Sequence, residues 1–166
     1  MDVPEREGDD AKEVFAFFGL AAYYAQVLEQ ELLLFASMLN LSGQTALTPA
    51  VVGELFARLE ARTLGQLVRE ARQLTTIPLE VEVNLSRALR ERNRLAHTFF
   101  AEHAQEFMSA GGRIRMIDEL RAATEQFQAV DRAITALREP LSTRLGITKD
   151  VAQREFDRLV RAAADV

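Results

Sequence analysis

The chain of 166 residues is 48% hydrophobic and 27% charged, with 4 prolines and 8 glycines, the make-up of one folded domain rather than of a disordered or fibrous chain. Folding at this size hides roughly 70% of the unfolded chain's surface, so a core is available without staples. The lack of cysteine excludes disulfides, thiolate metal sites, iron–sulfur clusters and a cysteine nucleophile, and a net charge of −5 excludes holding nucleic acid by bulk electrostatics, leaving only a local basic patch for that task.

The acidic first ten residues carry no basic start followed by an apolar run, so they do not read as a secretory signal. Residues 1–9 are expected to form a flexible N-terminus and the protein to be cytoplasmic. Asp10 with Glu13 then resembles a capping box and opens a first helix that runs to Leu39, closed by Ser42-Gly43. Its apolar residues wrap more than one face, as in a central helix or one that meets a partner subunit. The longest stretch there without a charged or amide side chain, Val14 to Ala25, falls short of the roughly 18 residues that a membrane span needs.

Thr48-Pro49 opens a second helix ending near Arg62, with Val51, Leu55, Phe56 and Leu59 at the helical period. A short third helix starts from Thr63, carries Leu64, Leu67 and Val68, and stops at Thr75-Thr76-Ile77-Pro78. The fourth pattern runs unbroken from about Leu79 to Met108 and is closed by Ser109-Ala110-Gly111-Gly112. The fifth uses Ile114, Ile117, Leu120, Phe127, Val130, Ile134 and Leu137 and ends at Pro140, and a last amphipathic helix begins near Thr148. Val81-Glu82-Val83 is the only hint of a strand. The pattern predicts a single all-α domain over residues 1–166, an antiparallel helical bundle.

Polar chemistry concentrates between Arg87 and His97, where four arginines stand against one carboxylate on one helix. Guanidinium groups pair with phosphate oxygens in a fork, so phosphate is the natural ligand for such an island, and Arg87, Arg90 and Arg94 are its candidate nucleic-acid contacts. On a wheel of about 100° per residue, Asn93 and His97 sit at the edge of the apolar arc with Arg90 nearly in line. Arg92 projects within that arc, beside the directions of Val81, Leu85 and Phe99. An arginine there needs a carboxylate, a phosphate or a wet cleft between subunits.

Arg92-Asn93-Arg94-Leu95-Ala96-His97 reads R-N-x-x-x-H and resembles the R-x4-6-H motif of the HEPN superfamily, set late in a long helix of an all-α chain. The resemblance implies a compact helical bundle that dimerises about a two-fold axis so that two motifs face one cleft. In active members it implies a metal-independent endoribonuclease, as found in toxin–antitoxin, phage-defence and RNA-processing systems. Arg92, Asn93 and His97 would then be the catalytic set. His97 would move the proton of a ribose 2′-OH, Arg92 would stabilise phosphorane-like charge, and Asn93 would orient phosphate or imidazole. The products would be a 2′,3′-cyclic phosphate and a 5′-hydroxyl, and pairing across the axis would supply both an acid and a base. Homodimerisation, RNA, and an antitoxin or regulatory protein are the implied partners, with no membrane, cofactor or metal. The subgroup that is switched off by tyrosine modification carries a tyrosine two positions after the histidine; this chain has Phe99 there.

Two other readings stand beside the enzyme: a non-catalytic HEPN-like dimer that binds a nucleotide, RNA or protein in the same cleft, and a structural dimer in which a carboxylate neutralises Arg92. His103 falls on the apolar arc and reads as a core or interface residue. Phe99, Phe100 and the first-helix phenylalanines read as core or dimer interface, Gly111-Gly112 as a helix boundary, and Asp118, Glu119 and Asp131 as exposed polar positions.

Overall fold

The computed structural model describes residue 3, residues 10–44 and residues 48–147. The N-terminus expected to be flexible, apart from Val3, and the last predicted helix from Thr148 lie outside the described residues. Those residues form an all-helical fold without strands. Its elements are α1 (Ala11–Ser42), α2 (Pro49–Glu60), α3 (Leu64–Leu74), α4 (Leu79–His97), the short α5 (Phe99–Glu102), a 3-10 turn (Glu106–Met108) and α6 (Ala110–Arg144).

Local capping sets most of the helix starts. Asp10 accepts a hydrogen bond from the backbone of Lys12, and Thr48 from that of Val51 with Pro49 behind it. Thr63 and Gln66 complete a reciprocal capping box at α3. At α4 the Val81-Glu82-Val83 segment is helical, so the hint of a strand there is overruled by the pattern that follows it.

The core is the seam between the two longest helices, α1 and α6. Val14, Leu28, Leu32 and Phe35 of α1 meet Met116, Ile117, Leu120, Phe127 and Ile134 of α6, all fully buried. Side-chain pairs fix the directions. Glu31, late in α1, binds Arg138, late in α6, while Phe15 stacks on Phe107 just before α6 begins, so these two helices run parallel. Helix α4 lies antiparallel to both, since Arg92 meets Glu29 whereas Phe100 meets Phe15 and Phe18, and Arg94 meets Glu119. Helices α2 and α3 cover the late half of α1 through Leu33, Ala36, Leu59 and Leu67, tied at the rim by Arg58, Glu70 and Asn40.

Two predicted boundaries are corrected. The fourth helix stops at His97 rather than at Met108, because the chain breaks from helical geometry at Thr98 and the short α5 that follows carries Phe99 and Phe100 into an aromatic cluster with Phe15, Phe18 and Phe107. Helix α6 passes through Pro140 to Arg144, where Leu141 and Ser142 are buried and Ser142 takes a hydrogen bond from Arg138. It ends at Gly146, whose φ of 71° allows the backbone to close with Ile147 N–H donating to the Ser142 carbonyl. No described helix is long and apolar enough to cross a membrane.

Candidate functional site

All the motif residues ride on the last three turns of α4, and the helix sorts them by direction. Leu85, Ala88 and Leu95 are buried and fix which side faces the core. Arg87, Arg90, Asn93 and His97 emerge on the outer face, all four exposed. None of Arg87, Arg90 and His97 has an ion-pair or hydrogen-bond partner among the described residues. The imidazole is thus open to solvent, one turn from Asn93 and two from Arg90.

Arg92 leaves α4 about 140° away from His97 around the helix axis and reaches α1. Its Nη2 lies 3.4 Å and 3.5 Å from the two carboxylate oxygens of Glu29, and its Nη1 donates to the Asn93 side-chain oxygen at 3.3 Å. Both partners of the pair remain partly exposed, at 32% for Arg92 and 26% for Glu29. A long, half-open pair of this kind contributes little stability and can be exchanged for another anion. Beside it a cleft of about 180 Å³ opens between α1 and α4, lined by Phe18, Ala22, Gln26, Glu29, Arg92 and Ala96. His97 is not part of that lining. Within one chain, then, Asn93 links to Arg92, and His97 stands apart from both.

Arg94 is held differently from the arginines with which it was grouped. Its guanidinium binds Glu91 at 2.7 Å, Glu102 at 3.1 Å and Glu119 at 2.6 Å, and sits 5.1 Å from the centre of the Phe99 ring. The hydrogen bond to Glu91 leads the causes that push its pKa further up. Glu119 also lies 3.0 Å from His103 Nε2, while His103 Nδ1 meets Glu106. Carboxylates therefore face both ring nitrogens of His103, which is partly buried against Phe99 rather than part of an apolar interface. This network staples the chain reversal after His97 onto α6. Sequence reasoning missed it because Glu102 is brought to Arg94 only by the unforeseen break of α4 at Thr98, and Glu119, on another helix, read as an exposed polar position.

Carboxylates in the fold divide into two classes, with an expected effect on stability. The hydrogen bond from Thr98, then that from Arg94, lowers the pKa of Glu102, and contact with His103 lowers that of Glu106. Burial raises Glu31 despite its bond to Arg138, and burial likewise raises Asp131, which is partly buried rather than fully exposed. A raised acid costs stability while it is charged, and that cost is relieved as pH falls through its folded pKa. A lowered acid stabilises above its unfolded value, and that contribution is lost as pH falls through its folded pKa. Stability should thus rise from pH 7 into the mildly acidic range and fall below about pH 4. Urea midpoints across this range check the shape. Asp131→Asn should raise the pH 7 midpoint and flatten the acidic rise.

Among the described residues no cluster of three or more histidine and carboxylate side chains is arranged to hold a metal ion. Comparison with family models, with curated proteins and with solved structures finds no match to this chain.

Proposed function

We propose that this protein is a metal-independent endoribonuclease of the HEPN type, acting as a two-fold dimer in the cytoplasm as a toxin or phage-defence effector that a regulatory protein holds in check. The observation that carries the reading is the outer face of α4, where an unpartnered, exposed His97 shares one side of the helix with Asn93 and with the unpaired Arg90 and Arg87. Free guanidinium groups beside a free imidazole suit a phosphodiester, with the arginines holding phosphate and the imidazole moving a proton.

The step needs two proton transfers. His97 takes the ribose 2′-OH proton while the 2′-oxygen attacks phosphorus. The bond from phosphorus to the 5′-oxygen breaks, and the partner's His97 gives that oxygen its proton. A 2′,3′-cyclic phosphate and a 5′-hydroxyl result. Arg92 joins by exchanging its long contact with Glu29 for the phosphate that carries the developing charge. The aromatic edge around Phe15, which is 54% exposed and stacked on Phe100 and Phe107, lies at the same end of α4 and offers a second copy an apolar surface to cover.

A mixed pool of single-stranded and structured RNA, incubated in excess EDTA, tests this. Wild-type protein should yield fragments with cyclic-phosphate ends, and His97→Ala should lower their rate by about 10²- to 10⁴-fold while leaving the circular dichroism unchanged. DNA of the same sequence should stay whole. If a folded dimer binds the RNA without cutting it, the non-catalytic reading replaces the enzyme. One observation favours instead the structural-dimer reading, namely that Glu29 of the same chain neutralises Arg92.

A further inference from the structure

We propose that the cleft between α1 and α4 beside Arg92 takes the base of a guanine nucleotide, with Glu29 accepting hydrogen bonds from the base and Arg92 holding the phosphate. It rests on the ribonuclease reading above for the move of Arg92 onto phosphate, and it adds a choice of base. The cleft has a volume of about 180 Å³, the scale of one flat heterocycle rather than of a whole drug-sized ligand. Phe18 and Ala22 of α1 and Leu95 and Ala96 of α4 give it apolar walls, and the two alanines leave room between the helices. Phe18 is partly exposed, and its ring is braced by Phe99 and Phe100, with centroids 5.7 Å and 4.9 Å away, so it offers a base a fixed aromatic surface. Gln26 and Glu29 also line the cleft, and at three residues apart they share one side of α1.

The way Glu29 is held selects the base. Arg92 meets it through a single guanidinium nitrogen, 3.4 Å and 3.5 Å from the two carboxylate oxygens, both longer than the usual charge-assisted bond. Once Arg92 turns to phosphate, both oxygens are left for a ligand that presents two N–H groups side by side. Among the four RNA bases only guanine does so on its base-pairing edge, with N1–H and N2–H, and its N1–C2–N2 unit repeats the fork of the guanidinium that it replaces. On the same edge adenine and cytosine set one amino group beside a bare ring nitrogen, and uracil sets one N–H between two carbonyls. Each of these turns an acceptor toward the second carboxylate oxygen, which repels it. Guanine O6 lies next to N1–H and takes a hydrogen bond from the amide of Gln26, an exposed side chain.

The probes are guanosine, adenosine and inosine 5′-monophosphates (GMP, AMP and IMP), titrated into the full chain and followed by methyl NMR. GMP should give saturable shifts at the methyls of Ala22, Leu95 and Ala96. IMP, which lacks only the N2 amino group, should bind about ten-fold more weakly through loss of one bond to a charged acceptor, and AMP should give no saturable shift there. Glu29→Gln should weaken GMP about ten-fold or more and erase its advantage over IMP, and Arg92→Ala should bring GMP down to the affinity of guanosine. The proposal is overturned if the GMP shifts do not saturate up to the solubility limit or fall outside the cleft, if IMP binds as tightly as GMP, or if Glu29→Gln binds GMP as wild type does. The wild-type comparison of GMP with IMP decides the matter even if a variant fails to fold. None of these measurements needs cleavage, so the two readings fail separately. A chain that binds GMP here and cuts no RNA keeps the guanine site and loses the ribonuclease; one that cuts RNA in EDTA without regard to guanosine keeps the ribonuclease and loses the guanine site.

Discussion

Gly112→Ala should destabilise the fold by about 3 kcal/mol, whereas Gly111→Ala, one residue earlier, should leave it unchanged or up to about 1 kcal/mol more stable. The two glycines are adjacent in the first turn of α6, and sequence gives them one meaning, a helix boundary. In space they differ. Gly112 is buried, and a Cβ built on it would overlap the carbonyl of Glu106, with the carbonyl carbon 2.5 Å and the Cα 2.6 Å away. These are backbone atoms of the 3-10 turn and cannot swing aside as a side-chain tip would. The N–H of Gly112 also donates to Ser109 Oγ at 3.1 Å, so the same residue joins the helix cap to the turn packed on it. A methyl group at Gly111 would meet only the flexible end of Arg115 at 3.8 Å, and alanine is the better helix former. Thermal unfolding of the two variants checks the contrast. For a chain of this size the first should lose about 6–12 °C, and a loss of less than about 2 °C would show that the turn yields easily. Any opening of the turn also displaces Glu106 from His103, so the loss should carry into the network beside the candidate site.

What was legible in the sequence was local. The starts of the first three helices were readable because Asp10, Thr48-Pro49 and Thr63 with Gln66 act on their own next turn. The end of α4 was not, because no glycine or proline marks it; what breaks the helix is the attraction of Phe99 and Phe100 to phenylalanines some 80 residues earlier in the chain. Pro140 looked like a stop, yet the burial of Leu141 and Ser142 carries the helix past it, and the stop is Gly146. The wheel placed Arg92 correctly within the apolar arc and so implied a counter-charge. It could not supply Glu29, which lies 63 residues away on α1. Likewise, periodicity put Arg90, Asn93 and His97 on one side of α4, but only the packing of α5 and α6 shows that Arg87 and Arg90 are left free while Arg94 is consumed.

That division among the arginines makes the last prediction a separation of roles. Arg94→Ala should lower stability by about 2–3 kcal/mol, because it leaves Glu91, Glu102 and Glu119 crowded around Phe99 without the guanidinium that binds all three. Arg94→Lys should restore little of this, since one ammonium cannot reach three carboxylates in the geometry that the planar guanidinium spans. Arg87→Ala and Arg90→Ala should each stay within about 0.5 kcal/mol of wild type, because neither side chain has a partner to lose. RNA affinity should sort the same residues the other way. Each of the two outer arginines should weaken binding and reduce the slope of log affinity against log salt by about 0.7, the signature of one phosphate contact to a single strand. In Arg94→Lys, measured where the protein remains folded, that slope should stay at the wild-type value. If Arg94 were instead a phosphate ligand, its replacement by alanine would cost affinity with little change in the urea midpoint, and the network seen around it would be incidental to the fold.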